Sequence, residues 1–125
     1  MATLTAQTKL TISDIVADAI SVDVSMAPSV LAGGITSKTL DTARATGSAL
    51  VIVEQTYYAS GTVIYLRNMS TTETIDIELT AGTTHIVLSP LQWTVFPWKA
   101  ASDIKAWSTS STADPQLEVG IFSAA

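Results

Sequence analysis

The chain has 125 residues, 47% hydrophobic and 14% charged, with eleven acidic against six basic side chains, a net charge of −5 and no cysteine. The length suits one domain with a proper core, and the hydrophobic content excludes a disordered chain. Disulfides, zinc–thiolate sites and thiol nucleophiles are excluded, and the scattered bases Lys9, Lys38, Arg44, Arg67, Lys99 and Lys105 do not form the cluster that nucleic acid requires.

Met1–Leu10 is Thr-rich and has no basic region followed by an apolar core, so it does not read as a secretory signal. No apolar run approaches the ~20 residues of a membrane span. Ser13–Asp18 fits a short helical turn or loop, with Ser13 as N-cap. Ala19–Met26 then alternates as a strand. Pro28 and Gly33-Gly34 are expected to break the chain before a further strand at Ile35–Leu40.

From Ser48 onward the pattern is regular. Ala49–Val53, Thr62–Leu66, Thr74–Leu79, Thr84–Leu88, Trp93–Trp98, Asp103–Trp107 and Gln116–Phe122 read as strands, separated by turn residues such as Ser60-Gly61, Ala81-Gly82 and Ser89-Pro90. Their starts recur every ~9–13 residues, the spacing of an antiparallel sandwich or barrel. The expected fold is all-β: one domain, an antiparallel β-sandwich of jelly-roll type over 48–123, with 1–47 as an N-terminal arm or extra layer.

Several strands are apolar on both faces: Leu50 and Ile52 against Val51 and Val53, Ile64 and Leu66 against Val63 and Tyr65, Trp93 and Val95 against Phe96 and Trp98. An antiparallel sheet normally keeps one wet face. The second face therefore needs cover from the N-terminal segment or from another subunit, which predicts a homo-oligomer. Residues 1–26 hold too many apolar side chains for a solvated tail. Leu10, Ile12, Ile15 and Val16 are the expected contacts with a sister subunit or a larger assembly.

No catalytic constellation emerges, and neither an enzyme nor a cofactor is expected. The sole histidine, His85, reads as an ordinary strand residue. Asp76 and Glu78 could hold a cation or do acid–base work, but their alternation with Ile75, Ile77 and Leu79 reads as a solvated sheet face. Ala32–Thr39 superficially suggests a phosphate loop and lacks the Gly before Lys38. Asn68-Met69-Ser70 meets the glycosylation sequon and reads more simply as a turn. Trp93, Trp98 and Trp107 could stack on sugars, although aromatic residues in strands more often belong to a core or a subunit contact.

Tyr57–Asn68, with its Tyr-Leu-Arg-Asn ending, is followed by Leu88-Ser-Pro-Leu-Gln-Trp-Thr-Val-Phe-Pro-Trp98 and Asp103-Ile-Lys-Ala106. This series resembles small virion proteins of tailed bacteriophages. The resemblance covers about residues 48–122. It implies a β-sandwich that cements or decorates the outer shell of a phage head, with the major capsid protein as partner, made in the host cytoplasm. The resemblance favours a trimer and transfers no functional residue, while the scattered bases and the lack of an apolar span already exclude nucleic acid and membrane as expected partners. The alternative is a receptor- or carbohydrate-binding module of a tail or fibre.

Overall fold

The computed structural model describes residues 2–3, 5–12, 20–26, 29–40, 49–55, 62–80, 82–99, 102–108, 110 and 113–124. Among the described residues eleven strands follow in chain order: β1 (Ala2–Thr3), β2 (Ala6–Ile12), β3 (Ile20–Met26), β4 (Ser29–Thr39), β5 (Leu50–Val53), β6 (Thr62–Asn68), β7 (Ile75–Thr80), β8 (Thr83–Leu88), β9 (Trp93–Trp98), β10 (Ile104–Ser108) and β11 (Gln116–Ala124). They form an antiparallel β-sandwich. One sheet runs β1-β4-β11-β6-β9, the other β5-β10-β7-β8, and β2 and β3 form a separate two-stranded ribbon. Numbered from β4, the first, eighth, third and sixth strands share one sheet, and the second, seventh, fourth and fifth share the other.

The two inner faces make the core. Strand pleating puts every second residue there: Ile64 and Leu66 of β6, Leu117 and Val119 of β11 and Trp98 of β9 from one sheet. Ile52, Ile75, Ile77, Leu88, Ile104 and Ala106 answer from the other. Pro97 is tolerated in β9 because that strand lies at the sheet edge, where an N–H can be spared.

Two local expectations need correction. The chain does not break at Gly33-Gly34: β4 runs from Ser29 to Thr39 straight through both glycines, paired with β11 from Gln116↔Thr39 to Ala124↔Val30. The glycines serve packing. A Cβ on Gly33 would collide with Cδ1 of Phe122, its cross-strand partner, so the bare backbone is the seat of that ring. The Thr-rich opening, which has no predicted strand, contains β2, held by seven residue pairs to β3. The expected turn at Ser13–Asp18 lies outside the described residues.

The strand after Asn68 also departs from simple alternation. Ile75 and Ile77 are buried as expected and Asp76 is half-buried, but Glu78 is only 1% exposed. The β7–β8 register shifts on both sides of Glu78. Such a bulge re-aims a side chain. The Glu78 carboxylate accepts the Gly82 N–H at 3.1 Å through Oε2, while Oε1 is buried without a partner. Glu78 is thus a buried turn anchor, and the expected solvated acidic pair does not exist.

Candidate functional site

The outer face of the five-stranded sheet carries a groove of about 600 Å³. Register explains its composition. β6 presents Tyr65 and Arg67 on the face opposite Ile64 and Leu66. Across the sheet, Tyr65 pairs with Val95 of β9 and Gly120 of β11, and Arg67 pairs with Trp93 and Glu118. Ile35 of β4 and Phe122 of β11 continue the apolar lining, and Thr5 and Gln7 at the root of the ribbon contribute to the wall. Trp93 and Ile35 remain 48% and 56% exposed.

The polar row in this groove is fixed by hydrogen bonding. The Tyr65 hydroxyl donates to Glu118 Oε1 at 2.8 Å. Burial raises the Tyr65 pKa above 10.0, and the Glu118 carboxylate raises it further, while the charge on Arg67 acts in the opposite sense. The Arg67 Nε is buried and has no acceptor. A buried guanidinium N–H without an acceptor is a costly group.

The rim is built by a strained turn. Ser89-Pro90-Leu91-Gln92 closes with Gln92 N–H donating to Ser89 O at 3.0 Å, and Leu91 adopts φ 63°. Proline in second place and a positive φ in third are the signature of a type II turn, where glycine is the usual third residue. Neighbours hold Leu91 there. Its N–H donates to Ser70 O at 3.1 Å, the Gln92 side chain accepts from Ser89 N–H at 2.9 Å, and Asn68 N–H donates to Gln92 O at 2.9 Å. The side chain so displayed is 49% exposed and lines the groove. Strain of this kind persists where surroundings over-determine it and tends to mark functional positions.

Asn68 anchors this end of the sandwich. It is fully buried, and its amide donates to Glu73 O, Leu88 O and Ser89 O at 2.7, 2.9 and 3.2 Å while Oδ1 accepts from Ser70 N–H at 2.9 Å. An amide so enclosed is not a glycan acceptor, in keeping with the turn reading of the sequon.

The other sequence candidates do not converge. Trp98 is in the core at 9% exposure, Trp107 lies on the four-stranded sheet with a buried, unpartnered indole N–H, and Trp93 alone of the three faces the groove. The tryptophans therefore form no common platform. His85 is exposed in β8, and its Nδ1 accepts from Leu79 N–H at 3.4 Å. Ala32–Thr39 is extended strand in β4 and not a phosphate loop. Leu10 and Ile12 lie in β2, opposite Val22 and Ile20 of β3. Ile15 and Val16 lie outside the described residues.

Sequence reasoning missed Tyr65, Arg67, Glu118 and Leu91 as site residues. A signal existed for the first two: Val63, Tyr65 and Arg67 form the second face of an evidently core strand. Glu118 and Leu91 required the pairing of β11 with β6 and the turn dihedral. No family model, curated protein or solved structure matches the chain.

Proposed function

We propose that the chain is a non-catalytic virion structural protein, a decoration or cement protein that docks on the major capsid protein at the exterior of a tailed-phage head. The reading is supported first by the motif resemblance and by the sheet wiring. We read the eight strands ordered first-eighth-third-sixth and second-seventh-fourth-fifth as the two nested Greek keys of a jelly roll, an architecture that viral capsid domains use.

The observation that carries the reading is the β2–β3 ribbon. It pairs with no third strand among the described residues. Its register sets Ala6 against Met26, Thr8 against Val24, Leu10 against Val22 and Ile12 against Ile20, and alternates these with Gln7–Ser25, Lys9–Asp23 and Thr11–Ser21. The aliphatic and polar pairs thus alternate along the ribbon with the two-residue period of an amphipathic strand pair. An isolated hairpin is marginal in water, so an arm of this pattern is stabilised by seating its apolar face on a partner. In a homotrimer each copy offers one arm, and many weak arms on a symmetric shell bind with avidity.

The experiment is the double substitution Leu10→Asp, Ile12→Asp in the full chain, read by light scattering and by binding to undecorated heads. Tryptophan fluorescence reports whether the sandwich stays folded. The proposal expects a folded protein with reduced oligomeric mass and at least tenfold weaker binding, since association energy concentrates in a few buried anchors. Unchanged mass and binding would overturn it. A receptor-binding module of a tail or fibre is the second reading, favoured by the exposed groove around Trp93, and it differs in copy number on the particle.

A further inference from the structure

We propose that the groove over the outer face of the five-stranded sheet is a binding site for a neutral glycan. This goes beyond shell decoration and does not depend on it: Gln7 of β2 lines the groove wall, whereas the substitutions that test the arm fall at Leu10 and Ile12.

Three observations on that face carry the assignment. First, Trp93 presents an indole that is 48% exposed within a groove of about 600 Å³, a volume in the range of small-ligand sites. A pyranose ring has a C–H face that packs on an aromatic face, and few other polar ligands do. Second, directly across the strand pair from Trp93 stands Arg67, whose half-buried guanidinium lines the groove. Beside it the Tyr65 hydroxyl has its proton committed to Glu118 at 2.8 Å, and its oxygen, which meets Arg67 with one lone pair, keeps the other to accept. The groove therefore sets a donor and an acceptor side by side next to an aromatic plane. Vicinal sugar hydroxyls, each both donor and acceptor, match that arrangement. Third, Leu91 is held at φ 63° on the rim, a strained conformation that keeps an apolar side chain at the mouth of the groove.

Charge decides between neutral and acidic sugars. The Glu118 carboxylate lies across the strand pair from Arg67 and offsets its charge, and the chain carries a net −5. An anionic ligand would meet a locally balanced site on an acidic protein, with no electrostatic gain to offset its desolvation. A neutral glycan needs only the hydrogen bonds and the stacking.

The test uses the full chain with maltotriose, cellotriose, chitotriose, lactose and sialyllactose as probes, followed by saturation-transfer NMR and calorimetry up to about 10 mM, where a site with a Kd of about 1 mM is largely filled. The proposal expects at least one neutral probe to bind, with saturation transfer strongest at its ring C–H protons. Trp93→Ala should weaken that binding at least tenfold and Trp93→Phe should largely restore it. Arg67→Met should weaken it severalfold. Circular dichroism confirms folding of each variant, and Trp93→Phe keeps the test decisive should the alanine variant misfold. No neutral probe binding, binding of sialyllactose alone, or binding indifferent to both Trp93 substitutions would each overturn the assignment. Binding of the Leu10→Asp, Ile12→Asp variant to undecorated heads is read separately, so the two proposals fail independently.

Discussion

Tyr65 reaches diagonally from β6 to Glu118 on β11, hydroxyl to Oε1 at 2.8 Å, and the residue directly opposite Tyr65 in that strand pair is Gly120. The bond and the bare glycine belong together. A Cβ on Gly120 would lie 3.1 Å from both Cβ and Cδ1 of Tyr65 and 3.0 Å from Cε2 of Phe122. Gly120→Ala should therefore displace the Tyr65 ring. Tyr65 Cβ is tied to the backbone and cannot swing aside, so overpacking outweighs the gain from a stiffer unfolded chain. A loss of about 1 kcal/mol in urea denaturation is expected.

The same bond gives an alkaline signature. Burial first, then Glu118, raises the Tyr65 pKa above 10.0, so the folded chain holds the phenolic proton more tightly than the unfolded chain does. Its contribution is fully present below pH 10 and is lost as pH rises through the folded value. Melting temperature against pH should thus fall above pH 10 in the native protein, and this component of the fall should be missing in Tyr65→Phe. Parallel curves for the two proteins would refute it.

Asp76 behaves in the same sense at the acid end. Burial, and secondarily the charge of Glu78, raises its pKa above 3.8 against the opposing bond from Thr84 at 3.5 Å. A carboxyl favoured in its protonated form stabilises the fold below pH 3.8, and that stabilisation is lost as pH rises through the folded value. Relative to the native protein, Asp76→Asn should be more stable at neutral pH than it is at pH 3. Denaturation at the two pH values measures the difference.

Leu91 predicts an inversion of the usual rule that apolar truncation destabilises. At φ 63° the left-handed conformation costs a leucine about 1–2 kcal/mol, whereas glycine adopts it freely. Leu91→Gly should melt at the native temperature or above it. Leu91→Val, with a β-branched side chain at a positive φ, should melt lower than the native protein.

Asn68 predicts the opposite extreme. Removing its amide leaves three carbonyls, of Glu73, Leu88 and Ser89, without their donor. Asn68→Ala should cost about 2–4 kcal/mol. Asn68→Asp should cost at least as much, because it aims a carboxylate at the same carbonyl oxygens in a fully buried site.

The sandwich was legible in the sequence because its signals are local. The seven strands expected after Ser48 all appear, with boundaries shifted by at most two residues, since alternation and turn residues mark each one. What depended on distant partners was not legible. Gly33-Gly34 reads as a break until Phe122 on β11 is known to pack over it. Glu78 reads as solvated until the β7–β8 turn, whose Gly82 N–H its carboxylate accepts, is in place over it. Trp93, Trp98 and Trp107 look alike as residues, and only their strand parity and sheet separate groove, core and opposite face. The groove itself is a property of pairing: Tyr65, Arg67, Trp93 and Glu118 come from three strands that sequence spacing cannot align.

The central claim, that this chain decorates a shell in many copies, is tested most directly by its abundance on the particle. Quantitative mass spectrometry of purified virions should find a copy number close to that of the major capsid protein. A handful of copies per particle would contradict the account and place the chain in a tail or fibre.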